Sequence, residues 1–202
     1  MNSIHRNIAN QIDSCAGGSI LFPGDFRGLG SEDAIKMSLS RLTNIGLLER
    51  LGHGIYLKTP PKGKLKRPSL EDIALAIAKK ERIKIKPTGA FALLKLGLAT
   101  EAPADITYIT DGEPRNIRIG NKRLIFKATT PKKLRLSTGI SGLLVQALDE
   151  VGKGIITDTF KDQIVKQLQQ ETEGNLLADL RLAPAWIYDL LYKLNQQITR
   201  II

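Results

Sequence analysis

The sequence predicts an α+β protein of two domains, with a small helical N-terminal domain that ends in a hairpin and a larger mixed α/β C-terminal domain. Three observations support this prediction. Ile4, Ile8 and Ile12 recur at four-residue spacing, as on one face of a helix. Two apolar runs flank Gly52-His53-Gly54, which is typical of a β-hairpin. A basic segment containing Pro and Gly, residues 59–68, follows as a linker.

Composition limits the classes of protein to consider. With 202 residues, of which 42% are hydrophobic and 25% charged, the chain has the balance of a globular protein that buries a core. Cys15 is the single cysteine, which excludes an intrachain disulfide and a thiolate metal site. The N-terminus lacks the features of a signal peptide and no apolar run is long enough to span a bilayer. We therefore expect a soluble, cytoplasmic protein.

The positive charge is concentrated in the middle of the chain. The net charge of +10 is the balance of +1 over residues 1–58, +11 over residues 59–135 and −2 over residues 136–202. Such an excess favours an anionic partner without naming it, and a nucleic-acid interpretation must account for the basic middle segment.

The first 58 residues contain the elements of a winged helix-turn-helix. A helix over Ser3–Asp13 and an extended segment at Ser19–Phe22 precede a brief helix that begins at Pro23. Ser31 is a suitable N-cap for a third helix, which has acidic residues in its first turn and ends at Gly46. With the hairpin as the wing, this order of elements places the third helix in the DNA major groove.

The outer face of the third helix carries the groups expected to contact DNA. Burying Ile35, Leu39 and Leu42 leaves an ammonium, a hydroxyl, a guanidinium and an amide outside, which hydrogen-bond base edges and phosphates. A merely solvated face is the alternative for such a helix taken alone. The predicted DNA-binding residues are Lys36, Ser40, Arg41 and Asn44 on the helix and Arg50, His53 and Lys58 on the wing, with Lys62, Lys64, Lys66 and Arg67 as further backbone contacts from the linker.

Two other interpretations of Gly52-His53-Gly54 fit the sequence less well. A phosphate-binding loop opens a helix, and no helical pattern follows Gly54. A metal site needs more ligands, and His5 is the only other histidine. We therefore expect neither a metal nor a cofactor.

The second domain, residues 69–202, is predicted to hold a small antiparallel sheet followed by C-terminal helices. Arg82–Lys86 alternates like a strand, and Asp111-Gly112 and Gly120-Asn121 are turn formers between further strands. The predicted helices are Ser69–Lys80, Ala90–Leu96, Ile140–Val151, Thr159–Glu173 and Ala185–Ile201, and the other predicted strands are 106–110, 116–119 and 123–127.

Carboxylates near the strand ends raise the alternative of a metal-dependent nuclease. Asp105, Asp111 and Glu113, with Lys122 nearby, have the chemistry for such a site. However, Arg115 stands where that chemistry usually has a lysine, and Asp111-Gly112 is explained as a turn. We expect a binding protein and no catalytic residue.

Short motifs over nearly the whole chain indicate a family. They are Phe22-Pro23-Gly24-Asp25-Phe26, Ser40-Arg41-Leu42, Gly54-Ile55-Tyr56, Pro87-Thr88-Gly89-Ala90, Leu96-Gly97-Leu98, Thr110-Asp111-Gly112, Ile119-Gly120 and Leu182-Ala183-Pro184-Ala185-Trp186. Through these motifs the chain resembles the AbiEi-like antitoxins of bacterial type IV toxin–antitoxin systems, which have a winged-helix N-terminal domain and a C-terminal antitoxin domain. That family often has Arg-Gly before the wing aromatic, where this chain has His53-Gly54, and Arg50 would then take over the contact.

The resemblance implies a function in two parts. The N-terminal domain would bind duplex DNA in its own promoter and repress transcription. The C-terminal domain would neutralise a nucleotidyltransferase-like toxin without a stable complex, and no membrane is involved. The alternatives are a stand-alone winged-helix transcription regulator and a nuclease targeted by its winged helix.

Overall fold

The computed structural model describes residues 4–60 and 67–199 and has the predicted α+β architecture. Helices and a small sheet come first, a second sheet follows, and helices end the chain. Ser3, Arg200, Ile201 and most of the predicted linker lie outside the described residues. No described helix combines the length and the apolar character that crossing a membrane requires.

Packing divides the described chain into two compact units. The first comprises Met1–Ile77 together with Ile117–Arg123, and the second comprises Ala78–Asn116 together with Leu124–Ile202. The domain boundaries predicted at residues 58 and 69 stay a prediction.

The first unit contains a winged helix-turn-helix. Its strands form a three-stranded sheet in the order β1-β3-β2, in which β3 pairs antiparallel with both neighbours. The elements are α1 (Ile4–Ser14), β1 (Ile20–Leu21), a 3₁₀ helix (Pro23–Phe26), α2 (Glu32–Asn44), β2 (Leu48–Gly52) and β3 (Ile55–Lys58), followed by α3 (Leu70–Glu81), which extends past the unit boundary.

Local signals explain why α2 forms where it does. The Ser31 hydroxyl accepts a hydrogen bond from the Ala34 N–H at 3.3 Å, and Gly46 ends the helical segment with a φ of +78°. The 3₁₀ helix before it is closed by Asp25, whose Oδ2 accepts from the Phe22 N–H at 2.7 Å. The apolar face of α2 packs on α1 in a core of Ile8, Ile12, Leu21, Phe26, Ile35, Leu39, Leu42, Leu48 and Tyr56.

The second unit combines a sheet with a helical core. The strand order is β4-β5-β7-β6, with β4 antiparallel to β5. Leu144, Leu148, Ile164, Ile187 and Leu191 are fully buried in the helical core. The elements are β4 (Ile85–Pro87), α4 (Gly89–Lys95), β5 (Asp105–Thr110), β6 (Arg115–Ile119), β7 (Lys122–Ala128), α5 (Pro131–Leu134), α6 (Ile140–Val151), a 3₁₀ helix (Lys153–Ile155), α7 (Asp158–Leu168), α8 (Glu173–Leu180) and α9 (Ala185–Thr199). The residues of β6 and β7 that lie within Ile117–Arg123 belong to the first unit.

The strand predicted at Arg82–Lys86 is wrong over its first half. Arg82 has a φ of +58°, and the Ile83 N–H donates to the Ala78 carbonyl at 3.0 Å. These residues therefore complete the C-terminal end of α3, and only Ile85–Pro87 is extended enough to pair in the sheet.

The helix predicted at Thr159–Glu173 runs too far: α7 ends at Leu168, and a separate helix that the sequence did not predict, α8, begins at Glu173. The N–H groups of Gln170 and Glu171 donate to carbonyls three residues earlier, both at 3.0 Å, and this tight turn ends α7. The turn brings the Glu171 carboxylate to the start of α6, where its Oε2 accepts from the Ser141 N–H at 2.8 Å.

The N-terminus of α6 is capped by carboxylates that are distant in sequence. Its N-cap residue, Gly139, has no side chain to offer. Asp179 is 2% exposed and accepts from the Ser137 N–H at 2.7 Å and from the hydroxyls of Ser137 and Ser141 at 2.6 Å. Negative charge is favourable at this end of a helix. We call Ser137, Ser141, Glu171 and Asp179 the α6 cap cluster.

The hydrogen bonds of the α6 cap cluster stabilise the ionised form of Glu171. Burial by itself raises the pKa of this carboxyl, but the N–H groups of Ser141 and Thr172 and the side chains of Asn175 and Ser141 outweigh it. The net result is a Glu171 pKa below its ordinary value of 4.5.

Candidate nucleic-acid interface

Helix α2 presents the predicted polar face to solvent. Ile35, Leu39 and Leu42 are buried, and the polar residues of the opposite face point outward. An exposed thioether, Met37, lies on the same helix and is 57% exposed. The four helix residues predicted to contact DNA are all exposed: Lys36, Ser40, Arg41 and Asn44.

The Lys36 ammonium is held only loosely. Its Nζ lies 3.7 Å from Glu32 Oε2 and 3.8 Å from Asp33 Oδ1, and the lysine side chain is 60% exposed. Exposed pairs of this kind contribute about 0–1 kcal/mol. Lys36 can therefore exchange these carboxylates for a phosphate at little cost.

The wing carries two of the predicted residues at its tip. Strands β2 and β3 form the hairpin, with an irregular register between Arg50 and Gly52, and Gly54 has a φ of +68° that the turn requires. Arg50 Nε donates to the Gly52 carbonyl at 3.4 Å, and Arg50 Nη2 lies 3.5 Å from His53 Nδ1. The structure therefore brings Arg50 and His53 together at the turn, and both side chains are exposed.

Lys58 has a structural role that sequence reasoning missed. Its Nζ donates to the carbonyls of Asp13 at 2.7 Å and Cys15 at 2.6 Å, at the C-terminal end of α1. A cation is favourable at that end of a helix. The ammonium of Lys58 is therefore engaged within the fold.

The predicted linker contacts are only partly described. Arg67 forms an ion pair with Glu49 of β2, and its side chain remains 72% exposed. Lys62, Lys64 and Lys66 lie outside the described residues.

The carboxylates considered for a nuclease have no common geometry among the described residues. Asp111 Oδ1 accepts from the Lys84 N–H at 2.7 Å, and the neighbouring Gly112 N–H donates to Thr110 Oγ1 at 2.9 Å, so Asp111 stabilises a turn. Within residues 4–60 and 67–199, no three His, Cys, Asp or Glu side chains are grouped so as to hold a metal ion.

Sequence reasoning predicted the strands of the β6–β7 hairpin but missed that its turn lies beside the wing. The tip of the β6–β7 hairpin, Ile117–Arg123, packs with the first unit. It carries Arg118 and Lys122, both exposed. The one sequence signal was an Arg-x-Gly pattern shared with the wing, as Arg50-Leu51-Gly52 and Arg118-Ile119-Gly120.

Comparison with known proteins assigns a family without a function. A search of the curated proteins found no match. A family model described as "Family of unknown function (DUF6088)" matches residues 7–176. This range includes the winged helix from within α1 onward, the second sheet and the α6 cap cluster apart from Asp179. Because the match covers most of the sequence, the chain belongs to the DUF6088 family.

Proposed function

We propose that the protein is a transcriptional autorepressor that binds a specific sequence in its own promoter. The observation that carries the proposal is the exposed polar face of α2, in a winged helix whose wing tip carries Arg50 and His53. In this fold the helix corresponding to α2 lies in the major groove and the wing touches the flanking backbone.

The side chains on α2 divide naturally between base and phosphate contacts. Arg41 can donate to two acceptors of guanine and Asn44 can form a paired hydrogen bond with adenine, the two commonest forms of direct readout. Lys36 and Ser40 suit phosphate oxygens, which fix the position of the helix without reading sequence.

Fluorescence anisotropy tests the proposal. The wild-type chain is titrated into labelled duplex from upstream of its own gene and into a scrambled duplex, at about 50 and 200 mM salt. We expect a preference for the native duplex that persists at the higher salt, since base contacts depend less on salt than phosphate contacts do. Equal and strongly salt-dependent binding to both duplexes would mean that the net charge of +10 acts without sequence recognition.

An Arg41→Ala variant tests the assignment of α2. We expect the affinity for the native duplex to fall about 10- to 100-fold, because losing a paired base contact costs about 1–3 kcal/mol, with a smaller loss on the scrambled duplex. Arg181→Ala is the matched control, since Arg181 is an exposed arginine outside the winged helix. An equal loss in both variants would show a general charge effect and remove Arg41 from the readout.

We further propose that the C-terminal domain acts as an antitoxin against a nucleotidyltransferase-like toxin, and the motif resemblance alone supports this part. Its test is to express a nucleotidyltransferase-like gene adjacent to this one, with and without this chain, and to follow growth. Growth restored by the Arg41→Ala variant would separate antitoxin activity from repression. If no such gene is adjacent, or growth is not restored, the chain is better described as a stand-alone regulator.

A further inference from the structure

The wing and the β6–β7 hairpin share a local arrangement at their turns. In the wing, Arg50 Nε donates to the carbonyl of Gly52, two residues on, at 3.4 Å. In the second hairpin, Arg118 Nε donates to the carbonyl of Gly120, also two residues on, at 3.1 Å. Each guanidinium is thereby anchored through Nε over its own turn, and in the wing Arg50 Nη2 also lies 3.5 Å from His53 Nδ1.

The two turns lie next to each other. A Cβ atom at Gly52 would lie 2.8 Å from the Arg118 carbonyl oxygen and 2.9 Å from Ile119 Cδ1. No side chain fits that space, which explains a glycine at a position without a positive φ. Gly52 immediately precedes the tip residue His53, and Ile119 immediately precedes the Gly120-Asn121 turn, so the close approach joins the ends of the hairpins.

The second hairpin adds positive charge beside the wing tip. Arg118 and Lys122 are exposed and form no ion pair within the part of the chain that the structure describes. Together with Arg50 and His53 they make one basic surface over two adjacent turns.

We infer that the β6–β7 hairpin is a second wing, which contacts backbone phosphates of duplex DNA through Arg118 and Lys122. The inference rests on the proposed function and adds to it, because it extends the footprint beyond the part of the duplex that α2 and the first wing would cover. Duplex DNA is the partner proposed for the adjoining surface of α2 and the first wing. Its phosphates carry the charge opposite to that of Arg118 and Lys122.

Neutralising the two side chains tests the inference. The double variant Arg118→Gln, Lys122→Gln is titrated with the upstream duplex at several salt concentrations. Each lost phosphate contact lowers the log–log salt slope by about 0.9, so we expect a slope shallower by about 2. Ethylation interference should show that phosphates protected in the wild-type complex are no longer protected.

A variant of equal charge provides the control. Lys166→Gln, Lys193→Gln changes the net charge by the same amount on exposed residues of the C-terminal helices, and we expect the wild-type slope. The inference is overturned if the Arg118→Gln, Lys122→Gln variant has the same salt slope as the control, or if its phosphate footprint equals that of the wild type. The thermal unfolding midpoints of both variants should match the wild type, because all four side chains are exposed.

The outcomes separate this inference from the proposed function. An unchanged slope with wild-type preference for the native duplex leaves the autorepressor proposal standing and removes the second wing. Loss of native preference in the wild-type chain removes sequence-specific repression, and the slopes on the scrambled duplex then decide whether the hairpin contacts phosphates. A wild-type chain that binds no duplex overturns both.

Discussion

Polar side chains on the outer face of α2 are exposed, whereas those at the N-terminus of α6 are buried and hydrogen-bonded. On α2, Ser40, Arg41 and Asn44 are exposed to solvent. At the start of α6, Ser141 is fully buried and Asp179 is 2% exposed, and both are hydrogen-bonded within the protein. Polar groups without internal partners keep their hydrogen-bonding capacity for a ligand, whereas buried and satisfied groups hold the fold together. Substitution should therefore reduce binding in the first region and stability in the second.

The largest effect is expected for Asp179→Ala in the α6 cap cluster. Removing the carboxylate leaves the Ser137 N–H and hydroxyl without their acceptor, and leaves the Ser141 hydroxyl only the longer hydrogen bond to Glu171 Oε2, at 3.1 Å. Because each unsatisfied buried group costs about 1–3 kcal/mol, we expect the free energy of unfolding to fall by about 3 kcal/mol or more. Chemical denaturation measures this loss, and the folded variant should keep the wild-type affinity for duplex DNA.

Asp162→Ala is the control for that comparison. Asp162 is an exposed aspartate on α7, and substitutions at such positions usually change stability by less than about 0.5 kcal/mol. If Asp179→Ala were as mild as Asp162→Ala, the α6 cap cluster would not be a structural element and the contrast with α2 would fail.

An effect of intermediate size, on both stability and DNA binding, is expected for Gly52→Ala. The added Cβ would lie 2.8 Å from the Arg118 carbonyl oxygen, so the two hairpins must separate. Overpacking of this kind costs about 1–3 kcal/mol of stability, and displacing the second hairpin should also make the salt slope of DNA binding shallower.

Gly174→Ala is the control for Gly52→Ala, because it adds the same methyl group at a position with open space. Nothing lies within 4 Å of a Cβ at Gly174, and alanine favours a helix over glycine by about 0.5–1 kcal/mol. We expect a neutral or slightly stabilising effect and an unchanged slope. A Gly52→Ala protein that behaves like this control would contradict the close approach of the two hairpins.

Features encoded by neighbouring residues were predictable from the sequence. The Ser31 cap, the outer face of α2 and the Gly52-His53-Gly54 turn each depend on residues within one element or one turn, and the structure has all three. The winged-helix fold followed from their order.

Features that join distant residues were not predictable. Lys58 caps α1 across 45 residues, and Asp179 reaches Ser141 across 38. The contact of Gly52 with Arg118 is of the same kind, and no periodicity reveals it. The helix predicted at Thr159–Glu173 extends too far for the same reason, since the turn at Glu171 places its carboxylate on Ser141 of another helix. Residues with different roles therefore look alike in the sequence. Lys58 and Lys36 are both plausible phosphate ligands there, and only the fold shows that the Lys58 ammonium is hydrogen-bonded within the protein.

The smallest effect, and the one most specific to the α6 cap cluster, is the pH dependence that Glu171 contributes. Its pKa is lowered in the folded protein, so the ionised carboxylate stabilises the fold fully above the ordinary value of 4.5. That stabilisation is lost as the pH falls below 4.5 and through the lower pKa of the folded state. Denaturation of the wild type and Glu171→Gln at a series of pH values should give a constant difference at neutral pH that shrinks on acidification.

The exposed residue Glu101 separates this contribution from the general effect of acid. Glu101→Gln removes a carboxylate without disturbing the α6 cap cluster, and its unfolding free energy should track the wild type across the whole pH range. A Glu171→Gln protein that also tracks the wild type would mean that the hydrogen bonds to Glu171 do not favour its ionised form. DNA binding by the folded Glu171→Gln variant should equal that of the wild type near neutral pH, because a satisfied group in the second unit has no free donor or acceptor to offer a ligand.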